Sequence, residues 1–331
     1  MFKSNRLALF RDGPPLLQVV VDTEEEFDWD QPFSRLNTAI HAIDALPSVQ
    51  EILEGYGVKP TYVVDYPVVA AESSRAVLKR FFDAQRCQIG THLHPWVNPP
   101  FEEDISTFNS YPGNLEPELE RRKLEVITTT IGSAFGTAPR IYKAGRYGVG
   151  RATAAALKEL GYLVDLSVVP HTDFSGDGGP DFRDCPDRPY WFGEGGQLLE
   201  IPLTRGFAGL AAGWGSTVYP AVESKLGRLT HLGAILSRTG LLERIGLTPE
   251  GIESRQQLRL LRLLLLRGYR VFTLTFHSPS LVPGNTPYVR NQNDLRRFFD
   301  NIRSVLDAFF EVHGGRATTP LELLASAQQP R

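Results

Sequence analysis

Short apolar runs alternate with longer stretches of helical periodicity along almost the whole chain, and this alternation leaves few folds open. Runs of the length taken by buried parallel strands fall at 16–21, 59–65, 87–91, 140–144, 162–167, 198–202 and 271–276. Helical spacing occupies 38–56, 73–84, 116–135, 150–160 and 254–267 between them, and 293–312 after the last. Parallel neighbours need a long crossover connection, so the pattern predicts a parallel sheet wrapped by helices. Seven such strands in 331 residues predict one α/β barrel, a deformed seven-stranded (β/α) barrel in a single domain with insertions.

The expected organisation is an N-terminal extension over 1–13 and a barrel over 14–326. Two segments break the rhythm. An excursion at 170–196 is rich in Gly, Pro and Asp, with room for a hairpin, and 206–251 reads as an insertion between the sixth and seventh strands. Gly57 and Gly161 stand where a left-handed residue would end a helix, and Asn293-Asp294 offers acceptors to start the last one. The leucine-rich run at 258–266 is read as an outer helix packing on the sheet.

Charge excludes some partners. The 35 basic and 38 acidic residues are mixed along the chain and give a net −3, with no basic stripe for nucleic acid. No stretch approaches the ~20 apolar residues of a transmembrane helix, and the first residues carry too short an apolar run for a secretory signal, so a cytoplasmic location is expected. Cys87 and Cys185 are too few for a disulfide framework.

Residues capable of chemistry cluster just past the expected strand ends, where barrels place their active sites. Asp22 and Glu24 follow the first strand, His92 and His94 the third, Arg146 and Tyr147 the fourth, and His277 ends the last. Two residues apart on extended backbone, His92 and His94 point to one side, so they can share a metal. Glu24 would complete a two-histidine, one-carboxylate set with an open position, and Asp22 could take a proton from water. Singly, each has a plain structural reading: a solvated acidic loop at 24–26, a core histidine at 277, a surface ion pair at 146. Convergence on four strand ends favours a site.

These residues resemble the polysaccharide deacetylases with NodB homology, in particular a divergent WalW-like branch, over most of the chain. Val21-Asp22-Thr23-Glu24 is similar to the family's aspartate-pair motif, which implies Asp22 as general base and Glu24 as metal ligand. Gly90-Thr91-His92-Leu93-His94-Pro95 is similar to G-x-H-x-x-x-H-P with two fewer residues between the histidines. Ala144-Gly145-Arg146-Tyr147 resembles the arginine motif and implies that Arg146 orients the base. Leu274-Thr275-Phe276-His277 resembles the closing motif and implies His277 as general acid, with Asp165 as the acid supporting it. The run from His277 to Gly284 looks like a signature of the divergent branch.

The resemblance implies a hydrolase that uses a divalent metal, with zinc the expected ion, and removes the N-acetyl group from an amino sugar of a carbohydrate substrate: a polysaccharide, an oligosaccharide or a precursor. Trp29, Trp96, Tyr147 and Trp191 are the aromatic residues that could stack on sugar faces. Three other readings stay open: a metal-independent amidase of the allantoinase type, a glycosidase on the same barrel, and a saccharide-binding protein whose metal set has decayed.

Overall fold

The computed structural model describes residue 10 and residues 12–328. The expected extension over 1–13 lies largely outside the described residues. The strands are β1 (Leu16–Thr23), β2 (Thr61–Val64), β3 (Gln88–Leu93), β4 (Ile141–Ala144), β5 (Val164–Asp165), β6 (Tyr190–Phe192), β7 (Leu198–Glu200), β8 (Arg205–Ala208), β9 (Glu243–Gly246), β10 (Val271–His277) and β11 (Arg316–Ala317). The helices are α1 (Leu46–Gly55), α2 (Tyr66–Ala70), α3 (Glu72–Asp83), α4 (Pro117–Phe135), α5 (Thr153–Glu159), α6 (Gly215–Glu223), α7 (Lys225–Leu229), α8 (Leu232–Arg238), α9 (Ser254–Leu266), α10 (Gln292–Asp307) and α11 (Pro320–Gln328).

The main sheet runs β10-β1-β2-β3-β4-β5-β7-β6, with β11 added to β1. Every pairing from β10 through to β7 is parallel, and only β6 runs antiparallel to its neighbour β7. The seven strands expected from the sequence form this parallel path, curled into a deformed (β/α) barrel. The two ends of this parallel path, β7 and β10, are not paired with each other as strands. Thr204, between β7 and β8, and Leu247, just after β9, fill the gap instead: Thr273 N donates to Thr204 Oγ1 (2.7 Å), Leu247 N to Thr204 O (2.9 Å) and Thr275 N to Leu247 O (3.3 Å).

Strand parity sorts the side chains into two environments. Leu17, Val19 and Val21 of β1 join the outer core with Leu46 and Val49 of α1, Leu78 of α3, Leu260 and Leu264 of α9 and Ile302 of α10. Val20, Val63, Ile141, Val164 and Leu199 form a separate apolar cluster with Leu323 and Leu324 of α11. The same parity carries Asp22, His92, Lys143 and Thr275 onto the inner face toward the strands' C-terminal ends.

Several boundaries move. The helix expected over 38–56 begins as a 3-10 turn at His41–Ala45 before α1. The last helix is capped by Asn291, whose side chain accepts from Asn293 N and Asp294 N, rather than by the Asn293-Asp294 pair itself. Gly57 (φ 69°) and Gly161 (φ 83°) do take the left-handed conformation expected of helix stops. The excursion contributes β6, which turns back antiparallel onto β7, the strand expected at 198–202, and β8 and β9 pair as an antiparallel ribbon around α6, α7 and α8. The leucines of α9 pack inward, Leu260, Leu261 and Leu264 being buried. Among the described residues no helix is long and apolar enough to cross a membrane.

One buried acid gives a test of the fold's electrostatics. Glu120 of α4 accepts from Thr153 Oγ1, while its Oε2 is buried with no partner. Burial pushes its pKa up to about 7 against the partial relief from Thr153. The folded state thus favours the protonated acid, and this advantage is lost as pH rises from the ordinary carboxylate range through about 7. Glu120→Gln is expected to stabilise the protein at pH 8 by on the order of 3 kcal/mol and to change little near pH 4. Thermal melts at the two pH values check it; equal effects at both would contradict it.

Candidate functional site

Glu24, His92 and His94 meet at one mouth of the barrel, all three buried. Glu24 Oε2 lies 3.3 Å from His92 Nε2 and 3.6 Å from His94 Nε2. The other ring nitrogens are already engaged. His92 Nδ1 is 3.0 Å from the carbonyl oxygen of Lys143, and His94 Nδ1 is 2.8 Å from Glu25 Oε2. Each Nδ1–H therefore donates outward, which turns both Nε2 lone pairs toward the Glu24 carboxylate.

The supports of this arrangement come from neighbouring strand ends. His92 and Lys143 are register partners on β3 and β4. Glu25 also accepts from Trp96 Nε1 (2.8 Å), and its backbone N donates to Asp65 Oδ2 (2.6 Å) at the start of α2. The Trp96 ring stacks on His94 at 4.3 Å. Gly145 must lack a side chain, because a Cβ there would sit 2.3 Å from His94 Cδ2. Lys123 anchors the loop after β3 by donating to the carbonyls of Pro95 (3.0 Å), Asn98 (2.6 Å) and Pro100 (2.7 Å).

Burial lowers the pKa of both imidazoles, that of His94 to about 4, so both are neutral at physiological pH. Burial also raises Glu24, with the nearby histidines opposing it only in part. Burial raises Glu25 to about 8 and Asp65 as well, so this facing pair behind His94 disfavours carrying two negative charges. Neutral imidazoles and a carboxylate short of positive charge are the donor state that a divalent cation requires. Tetrahedral ligands ~2.0–2.1 Å from zinc stand ~3.3 Å apart, close to the observed separations.

Asp22 stands next to this group, paired in register with His277. Lys143 Nζ donates to both its oxygens, at 2.6 and 2.5 Å, and His277 Nε2 lies 3.5 Å from Oδ2. Burial opposes the Asp22 charge, but Lys143, His92 and His277 outweigh it and hold the carboxyl below its ordinary range. His277 in turn has Glu250 Oε2 at 2.8 Å from Nδ1. Burial disfavours the imidazolium, yet Glu250, Glu24 and Asp22 together raise its pKa to about 10.

The structure corrects four expectations. Arg146 does not reach Asp22: with φ 50° it turns aside, donates to Ser110 Oγ and to Asp177 Oδ2 (2.7 Å) and lies over the Tyr111 ring. Lys143 holds Asp22 instead. Asp165 bonds Ser167, and the acid on His277 is Glu250. Trp96 is only 2% exposed, beneath His94 and not on a groove. Trp191 packs with the cluster that includes Leu323 and Leu324, away from the histidines. Trp29 does reach the mouth, its ring 5.2 Å from His277 and 5.5 Å from Tyr288, and Tyr147 lies over Lys143.

No family model and no curated protein matches the chain. Solved structures do. The PuuE allantoinase matches with a TM-score of 0.54 and 13% identity, over 96% of this chain and 91% of that one. A GH57 branching enzyme from the archaeon Thermococcus kodakaraensis matches at 0.52 and 12%, over 96% and 72%. A Mycobacterium smegmatis protein assigned as a polysaccharide deacetylase matches at 0.47 and 16%, over 93% and 94%. At such identities the first two establish the class, a deformed (β/α) barrel. On that barrel this chain carries a buried Glu24–His92–His94 group with the Lys143–Asp22–His277–Glu250 chain beside it.

Proposed function

We propose that the chain is a metal-dependent hydrolase that removes an N-acetyl group from an amino sugar of a polysaccharide, an oligosaccharide or a precursor. One observation carries the reading: three buried acceptor atoms face one another, with both histidine Nδ1 positions engaged elsewhere. A divalent cation, zinc by its donor set, would be held by Glu24, His92 and His94, and when bound it polarises the amide carbonyl and lowers the pKa of water to about 7.

Asp22 accepts the proton of the attacking water. Held below its ordinary range, Asp22 takes that proton uphill, a cost that belongs within the ~16 kcal/mol barrier of a typical turnover. Lys143 keeps Asp22 ionised and fixed, and His277, protonated and held by Glu250, gives its proton to the departing amine. Trp29 and Tyr147 supply aromatic faces for the sugar. A groove of about 600 Å³ runs past Trp29 between Phe27, Asn285 and Arg290. A glycosidase would need two free carboxylates flanking the bond, whereas Asp22 is bound by Lys143 and Glu24 faces the histidines.

The purified full chain is expected to carry about one zinc per chain and to release acetate from N-acetylated amino-sugar oligomers. His92→Ala/His94→Ala should hold less than about a tenth of that metal. Equal, low metal in both proteins, with acetate release by the wild type surviving chelation, would end the metal-dependent reading.

A further inference from the structure

A second recess opens beside His277, in the gap between β7 and β10. Its volume is about 160 Å³, and Tyr147, Arg205, Leu247, Glu250, Thr275 and His277 are among its lining residues. A recess of this size admits a substituent of a few heavy atoms. The recess shares Tyr147, Glu250 and His277 with the reacting end of the site, so what enters it must be attached close to the scissile amide.

Arg205 is the unusual wall. Its Nη1 donates to Thr172 Oγ1 at 2.6 Å, and Thr172 in turn donates to the carbonyl of Pro170. Among the described residues no carboxylate lies within ion-pair distance of Arg205, and no acceptor takes a hydrogen from its Nε or Nη2. The nearby acids are committed elsewhere: Glu223 to Arg244 (2.6 Å), and Glu250 to His277 and Ser280. Burial, followed by the neighbouring Arg244, lowers the pKa of Arg205 to about 10, as expected where positive charge is in excess. Thr172 thus fixes one corner of the guanidinium and leaves the edge formed by Nε–H and Nη2–H, two parallel donors whose spacing matches the oxygens of a carboxylate.

We propose that Arg205 and this recess form a carboxylate subsite, so that the preferred substrate is an acidic saccharide carrying a carboxylate on or next to the N-acetylated sugar. The inference rests on the deacetylase reading for its substrate and on the recess itself for the anion. The carboxylate has two chemical sources, a lactyl ether on the acetylated sugar or a neighbouring uronic acid.

Calorimetric titration of the zinc-loaded full chain separates them. The probes are N-acetylmuramic acid, a glucuronic acid–N-acetylglucosamine disaccharide and the neutral N-acetylglucosamine dimer. One acidic probe is expected to bind at least about tenfold tighter than the neutral dimer, and Arg205→Gln to abolish that preference without weakening the neutral sugar. Wild type that binds acidic and neutral probes equally overturns the subsite with no variant needed, and so does a preference that survives Arg205→Gln. Acetate release from the same probes reports separately on the hydrolase reading: an acidic preference in binding with no acetate released retains the subsite and rejects deacetylation.

Discussion

Lys143→Met is expected to slow acetate release about a thousandfold while leaving the zinc content unchanged. Among the described residues Lys143 Nζ is the cation that donates to both Asp22 oxygens, at 2.6 and 2.5 Å, closer than His277 at 3.5 Å, and neither Lys143 nor Asp22 is among the proposed metal ligands. Removing one partner of a buried ion pair costs on the order of 3–5 kcal/mol, unless the remaining group gives up its charge. Asp22 escapes part of that cost by binding a proton, which ends its use as a base at neutral pH. The linkage follows in sign. The native pKa of Asp22 lies below its ordinary value, so its contribution to stability is present above that value and is lost as pH falls through the native pKa. Without Lys143 this loss moves to higher pH. Asp22→Asn/Lys143→Met removes both charges and should recover melting temperature but no activity. Turnover within tenfold of wild type in Lys143→Met would remove Asp22 from the proposed chemistry.

The parallel strands were legible because strands buried on both faces read as apolar runs, and strand parity then placed Asp22, Glu24, His92 and His94 on one side. What stayed hidden has physical causes. Lys143 sits inside an otherwise apolar strand, where a sequence reading expects no charge, and its neighbour Arg146 offered the more familiar cation. The left-handed backbone at Arg146 and Tyr147, φ 50° and 61°, reverses the direction of that side chain. Glu250 lies far from His277 along the chain, after a ribbon that the sequence presents only as an insertion. A signal for it existed in Pro249-Glu250-Gly251, an acid in a tight turn after an apolar run, but nothing local ties it to a histidine 27 residues on. Trp96 misled because its aromatic ring suits either a sugar or an imidazole, and only burial tells the two apart.

Glu250→Gln should lower turnover about a hundredfold at pH 8 and move the alkaline limb of the rate profile to lower pH. In the native protein burial works against a charged His277, and Glu250 is the strongest of the groups that restore it, ahead of Glu24 and Asp22. A pKa raised to about 10 keeps the imidazole protonated through neutral pH, and the stability this pair contributes is whole below the ordinary histidine range and is lost progressively as pH rises from there through about 10. Replacing the carboxylate with an amide keeps the shape of the contact and removes the charge, so the protonated fraction of His277 declines at lower pH. A cation on Glu24, His92 and His94 lowers the absolute value through repulsion, yet the direction of change on losing Glu250 is the same. Glu250→Asp, which retains the charge, should hold the limb nearer its original position. If Glu250→Gln instead loses activity evenly across the pH range, Glu250 acts by positioning His277 alone, and the proton delivered to the departing amine has another source.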